Sequence, residues 1–202
     1  MTTHSEEEKA TADKVERILL IAKAAFFNAT DSLGCIEMFL EASRTQELNP
    51  LVAAANGQHT GNLVMRALLG HCLMSVMTAF DREQPGDLHL GVGMNLLNQI
   101  PREVLCELKD AHLAAIEAAK LQWAECRNFK PLDSLRTYRN KFVAHNSQYP
   151  ADKDMPVIGQ LFHLAEMTAR TAELLARGTG AVGVSLESQV IPYRENSRAF
   201  WA

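Results

Sequence analysis

The chain has no stretch of 18 uncharged apolar residues, so the sequence offers no membrane span. Its first residues, Met-Thr-Thr-His-Ser-Glu-Glu-Glu, have neither a basic nor an apolar region, and no secretory signal is expected. Cysteine is sparse: Cys35, Cys72, Cys106 and Cys126 stand far apart, with no Cys-x-x-Cys pair. A disulfide framework and a zinc site are both disfavoured, and reduced, buried thiols in a cytoplasmic protein are the expectation. Glycine (11) and proline (7) are too few for a fibrous chain, and 47% hydrophobic residues are too many for a disordered one. Positive charge is not in excess either. Twenty Lys and Arg against 24 Asp and Glu leave a net charge of -4, so any contact with nucleic acid must be local.

What is present is helical periodicity. At 202 residues one domain with appendages is expected, burying roughly 70% of the unfolded surface. From Thr11 to about Ser43, Val15, Ile18, Leu19, Ala22, Phe26, Ala29, Leu33, Ile36 and Leu40 recur mostly at steps of three and four, the pattern of a long amphipathic helix. Asn49-Pro50 reads as the cap of the next helix, and Asn56-Gly57 as a turn or kink. From Thr60 to Phe80 nearly every face is apolar, which predicts a central, buried helix. Asp81 to Gly93 contains Pro85-Gly86 and two further glycines and reads as a loop, with a short helix at Met94 to Gln99. Pro101 to Asn128 carries the next stripe. Asp133 is a plausible N-cap for a helix that ends at Asn146-Ser147, and a last helix runs from about Met155 to Arg177 with Gly178 at its C-terminal stop. The expectation is an all-α antiparallel bundle of about five main helices: a leader at 1–10, a helical domain at 11–177, and a less regular C-terminal tail at 178–202. In the tail, Val182 to Ile191 is compatible with an extended segment, and Trp201 is expected to dock.

Candidate chemistry is thin. His4 and His59 read as solvated, His71 and His112 as core histidines, His89 as a loop residue and His163 as lying near an apolar face. No His-x-x-x-His or Glu-x-x-His pair occurs, so the spacing of a bundle metal centre is missing and neither metal nor cofactor is expected. Gly91-Val92-Gly93 lacks the third glycine, lysine or strand of a phosphate-binding loop. Glu6-Glu7-Glu8 reads as a solvated helix start.

One segment differs. Leu135-Arg136-Thr137-Tyr138-Arg139-Asn140-Lys141-Phe142-Val143-Ala144-His145-Asn146 puts three cations, an amide and a histidine on one short helix. Arg127, Lys130, Arg136, Arg139 and Lys141 against Asp133 give a local charge of +4 on a chain of -4. Tyr138 and Phe142 add aromatic faces, for which core packing is the simpler use.

Arg139-Asn140 followed by His145 resembles the Arg-x(4–6)-His motif of the HEPN superfamily. More narrowly, Leu-Arg-x-x-Arg-Asn-Lys-x-x-Ala-His is similar to the abortive-infection AbiU-type HEPN group. The stretch from Arg66 to Phe80-Asp81-Arg82 looks like that group's buried helix ending in an acidic residue and a loop. The resemblance covers roughly Ala12 to Arg177. It implies an all-α domain and a metal-independent ribonuclease of a phage-defence or toxin–antitoxin type system. It also implies a homodimer that pairs two motif helices over one RNA-binding cleft, and it leaves open whether an antitoxin protein holds the enzyme in check. Arg139 and His145 would be catalytic, with Asn140 in support. Arg136 and Lys141, and less strongly Arg127 and Lys130, would steer the RNA.

Those residue types suit the chemistry. Metal-free RNA cleavage needs a base for the 2′-OH proton, an acid for the leaving 5′-oxygen and a cation for the charge on phosphorus. Imidazole serves either proton-transfer role, and guanidinium matches phosphate oxygens. Six residues of α-helix turn through about 600°, which leaves the side chains of Arg139 and His145 about 120° apart. A dimer closes that gap. Two alternatives stand beside this one: a HEPN-type module that binds nucleotide, RNA or protein without cutting, and a His145 that only hydrogen-bonds inside the bundle and caps its helix.

Overall fold

A computed structural model describes the backbone of residues 2–48, 57–84, 86–106, 109–144 and 156–201. These residues form helices and no strand: α1 (Thr2–Leu48), α2 (Gly57–Thr78), α3 (Leu90–Leu97), α4 (Arg102–Cys106), α5 (Asp110–Arg127), α6 (Leu132–Tyr138), a π-helix (Arg139–Ala144), α7 (Ile158–Thr179) and α8 (Leu186–Trp201). The all-α bundle is as expected. The Asn49-Pro50 cap, the Asn146-Ser147 helix end and the position of His145 lie outside the described residues.

Two helices organise the core. Helix α1, 47 residues and roughly 70 Å long at 1.5 Å per residue, is packed by α2, α3, α7 and α8. By length and composition it is apolar enough to cross a membrane, yet Ile18, Ile21, Ala22, Ala25 and Phe26 are buried inside the bundle. The buried stripe also differs from the one expected. Ile21 and Ala25 join it, while Val15, Leu19 and Leu40 face outward. Helix α7 is the better-buried element. Leu161, Leu164, Ala165, Thr168, Ala169, Ala172 and Leu175 recur at three and four, and their small members let α1 and α5 approach closely. Its buried threonines satisfy their hydroxyls within the helix, Thr168 donating to the Leu164 carbonyl at 2.9 Å and Thr171 to that of Met167 at 2.9 Å.

Helix α2 is not the central element that its composition predicts. Cys72, Leu73, Val76 and Met77 pack inward, but Leu63 and Met74 are exposed, and so is His71. Greasiness all round does not set depth when, among the described residues, one face has no helix laid over it.

Glycine misled the reading at three places. Gly91 and Gly93 lie inside α3 rather than in a loop. A Cβ at Gly91 would stand 2.5 Å from the Ala79 carbonyl oxygen, the atom that accepts the Gly91 N–H at 3.1 Å, so α3 starts where two backbones touch. Gly178 is not a stop but a close contact: its Cβ would lie 2.6 Å from Ile116 Cγ1. The helix ends two residues later at Gly180, whose φ of 69° is left-handed. The stripe after Pro101 is also divided, between α4 and α5.

The region after Gly178 corrects the expectation of an extended Val182–Ile191 segment. From Leu186 it is helix α8, docked along α1. The Tyr193 ring covers Gly34, where a Cβ would meet it at 2.6 Å, and its hydroxyl donates to Asp31 Oδ1 at 3.0 Å. Arg194 forks onto Glu37 at 2.7 and 3.0 Å. The Ser185 hydroxyl accepts the Ser188 N–H at 3.3 Å and begins the helix.

Candidate functional site

The site is assembled where α2 ends, α3 begins and α6 runs into the π-helix. Leu132 and Leu135 anchor α6 in a core shared with Cys72, Leu73, Val76, Met77, Leu161 and Leu164, and Tyr138 packs against the same cluster. Pro131 precedes the first turn. Asp133 lies within that turn and is not its cap; there it receives Arg136 Nη1 at 2.8 Å.

At Arg139 the backbone changes from α to π. The 120° reckoning assumes an α-helix, whereas Arg139 to Ala144 is π-helical; its other end, His145, lies outside the described residues. Single π turns recur at functional positions of helices. Arg139 is the first residue of this one, and only 12% of its side chain is exposed. Its Nη1 donates to Asp81 Oδ1 at 2.7 Å and its Nε to Asn140 Oδ1 at 2.9 Å. Asn140 thus orients the guanidinium. Asp81 sits just past the C-terminus of α2, held by its N–H to the Thr78 carbonyl at 3.2 Å. A carboxylate at the negative end of a helix needs a cation, and Arg139 is that cation.

Beside this pair opens a groove with about 350 Å³ of solvent-reachable space, bounded by Asp81, Asn95 of α3, Trp123 and Arg127 of α5, and Arg136 of α6. Two of the four steering candidates, Arg127 and Arg136, therefore meet across one groove. Lys130 and Lys141 are exposed but do not line it. The Trp123 ring forms a wall, stacked on Phe80 with centroids 5.0 Å apart. His89, expected as an ordinary loop residue, is buried at 7% exposure directly before α3 and borders the groove. Neither ring nitrogen has a hydrogen-bond partner among the described residues, and Nε2 is 3.7 Å from Asp87 Oδ2. Behind the ring lies a cavity of about 30 Å³ edged by Ser32 and Thr78, room for about one water. No signal in the sequence marks His89, Trp123 or Asn95. They belong to the site only because α3 and α5 converge there.

Among the described residues, no group of three or more His, Cys, Asp or Glu is placed to hold a metal ion. Of the other histidines whose side chains are described, none lines the groove: His71 is exposed, His112 half-buried on α5, and His163 exposed against the Phe129 ring at 5.5 Å.

The family model of the AbiU2 HEPN domain matches residues 13–200, nearly the whole chain, including Asp81, the basic helix and α8. The chain belongs to the AbiU2 family of HEPN domains. The match reaches beyond Arg177, so α8 lies within the AbiU2 region and its docking on α1 is part of the unit matched. Membership makes this an abortive-infection HEPN-type module. No curated protein and no solved structure matches the chain.

Proposed function

We propose that this AbiU2 chain is a metal-independent endoribonuclease whose composite site forms when two copies bring their motif helices together, in a phage-defence or toxin-type setting. The observation that carries the reading is the Arg139 guanidinium, oriented by Asp81 and Asn140 at the edge of a groove lined by two further arginines. Oriented guanidinium groups suit a phosphodiester passing through a crowded, doubly charged transition state. In this proposal one His145 takes the 2′-OH proton while the 2′-oxygen attacks phosphorus. The partner's His145, protonated, delivers a proton to the departing 5′-oxygen. The products are a 2′,3′-cyclic phosphate and a 5′-hydroxyl, and the two histidines exchange protonation states.

One observation favours a second reading, a HEPN module that binds RNA or nucleotide without cutting it. The charge of Arg139 is already matched by Asp81 at 2.7 Å, an arrangement that also suits a structural pair. Incubating the purified protein with RNA in EDTA separates the two. Cleavage that leaves cyclic phosphate ends, and that is lost in His145→Ala, supports the enzyme. Retarded but intact RNA supports the binder. Sedimentation at micromolar concentration tests the composite site, which needs a particle of two chains.

A further inference from the structure

The Asp81 carboxylate that holds Arg139 stands outside any helix. Helix α2 ends at Thr78, and Ala79, Phe80 and Asp81 follow as a tight turn. Each N–H of that turn donates to the carbonyl three residues back, at 3.2, 3.0 and 3.2 Å. A turn past a helix end frays unless something holds it. Contacts from α3 and α5 hold this one. The Gly91 N–H of α3 donates to the Ala79 carbonyl at 3.1 Å. The buried Trp123 indole of α5 lies on the Phe80 ring, 16° from parallel with centroids 5.0 Å apart. The two holds are adjacent, since a Cβ at Gly91 would stand 3.5 Å from Trp123 Cζ2. Phe80 also packs against both apolar clusters of the bundle, the one containing Ile21, Trp123 and Leu175 and the one containing Leu132 and Leu135 of α6. The residue before Asp81 is therefore registered on α5 and on the basic helix at once.

We propose that Trp123 is a positioning residue for Arg139: by stacking on Phe80 it fixes the turn that aims the Asp81 carboxylate, and through that carboxylate it sets the direction of the guanidinium. The route runs from ring to ring, along the chain from Phe80 to Asp81, and then across the 2.7 Å hydrogen bond to Arg139 Nη1. It needs no contact between Trp123 and RNA. The inference rests on the nuclease reading only for its effect on RNA cleavage, because the direction of the guanidinium is measurable without RNA.

The test compares Trp123→Leu, which fills apolar space without a face to stack, with Trp123→Phe, which keeps the face. In the full chain without RNA, the Arg139 Nε–H, held by Asn140 at 2.9 Å, is followed by NMR as it exchanges with water. Exchange is expected to quicken about tenfold in Trp123→Leu and in Asp81→Asn, the loss of one hydrogen bond's worth of restraint, and to stay near the wild-type rate in Trp123→Phe. With RNA, kcat of Trp123→Leu is expected to fall about tenfold at a nearly constant KM. In the Asp81→Asn background the same substitution is expected to cost nothing further, because both act through one carboxylate. Phe80→Leu removes the stack from its half-buried side and serves if Trp123→Leu does not fold. Wild-type exchange at Arg139 in the folded leucine variants overturns the proposal even if wild-type protein cuts RNA, and makes Trp123 core packing only. Equal quickening in Trp123→Phe, or an additive loss in the double variant, overturns it too. Quickened exchange that Trp123→Phe restores, in a protein that cuts no RNA, upholds the positioning role, and in that case it is the nuclease reading that fails.

Discussion

Arg139 and Asp81, 58 residues apart, join the start of the π-helix to the end of α2 through a 2.7 Å hydrogen-bonded ion pair. The pair is part-exposed, the two side chains at 12% and 40%, so its net contribution to stability is small, below about 1 kcal/mol. Its value lies in direction. With Asn140 on Nε, it leaves the guanidinium few ways to turn. Arg139→Lys keeps the charge but loses the fork, and RNA cleavage is expected to fall by about 10²–10³-fold. Asp81→Asn keeps an acceptor and removes the counter-charge. If Asp81 positions Arg139, kcat falls about tenfold at a nearly constant KM, with the melting temperature unchanged. A variant that melts earlier yet cuts at the wild-type rate would make the pair structural only.

His89 leads to the opposite balance. Its imidazole is buried and its nitrogens lack partners among the described residues, at a cost on the order of 1–3 kcal/mol. His89→Phe removes both polar atoms and keeps a ring, with about 30 Å³ of cavity beside it to take the added volume. Stability against urea is expected to rise by about 1 kcal/mol. A destabilised variant would mean that the imidazole has a partner in solution, such as a water in that cavity.

The basic helix was legible because charge is a property of composition, and Arg139, Asn140 and Arg136 stand out on any reading of 135–146. Asp81 was legible as the acidic end of an apolar helix, but nothing in the spacing says that it reaches Arg139. The groove was not legible at all. Arg127 and Arg136 were seen as neighbours in sequence, whereas the groove also needs Asn95 and His89, which α3 delivers from some 30–40 residues upstream. Periodicity found the helices and misjudged their depth, since it reports the width of an apolar face and not what covers it. Periodicity therefore makes α2 look central and leaves α8 looking like a tail. Glycine was the least readable residue. The same residue type marks a left-handed stop at Gly180 and a helix-to-helix contact at Gly178, and only the neighbours tell them apart.

That contrast at the end of α7 is measurable. At Gly178 a Cβ would meet Ile116 Cγ1 at 2.6 Å, the Ile116 backbone nitrogen at 3.0 Å and the His112 carbonyl oxygen at 3.1 Å. Two of the three are backbone atoms of α5 and cannot swing aside, so Gly178→Ala must push the helices apart, at about 1–3 kcal/mol. Gly180→Ala has room but must hold a left-handed residue, at about 1 kcal/mol. Gly183→Ala meets nothing within 4 Å and is expected to be neutral. Urea midpoints of the three variants should fall in that order. If Gly178→Ala is neutral, α5 and α7 are less tightly packed than described.

The buried thiols set the alkaline limit of stability. Burial pushes the Cys72 thiol up to about 12, with Cys35 nearby adding to it, and pushes Cys126 up to about 11, although the hydrogen bond with Thr171 pulls the other way. In the unfolded chain both ionise near 9.0. Above that pH the unfolded state has lost protons that the folded state retains, so stability falls as pH rises, from about 9 until each folded thiol ionises in turn. Each thiol contributes about 1.4 kcal/mol per pH unit in that window and nothing below it. Urea midpoints taken from pH 8 to 10.5 should therefore decline, and Cys126→Ala should decline less steeply from a lower starting point. Iodoacetamide at pH 8 provides the kinetic counterpart. Mass spectrometry should find Cys72 and Cys126 unmodified in native protein and alkylated in urea, because the reactive thiolate is absent from the folded state. Native labelling of Cys126 at the unfolded rate would place it at a surface, and the close packing of α5 on α7 around Thr171 would have to be abandoned with it.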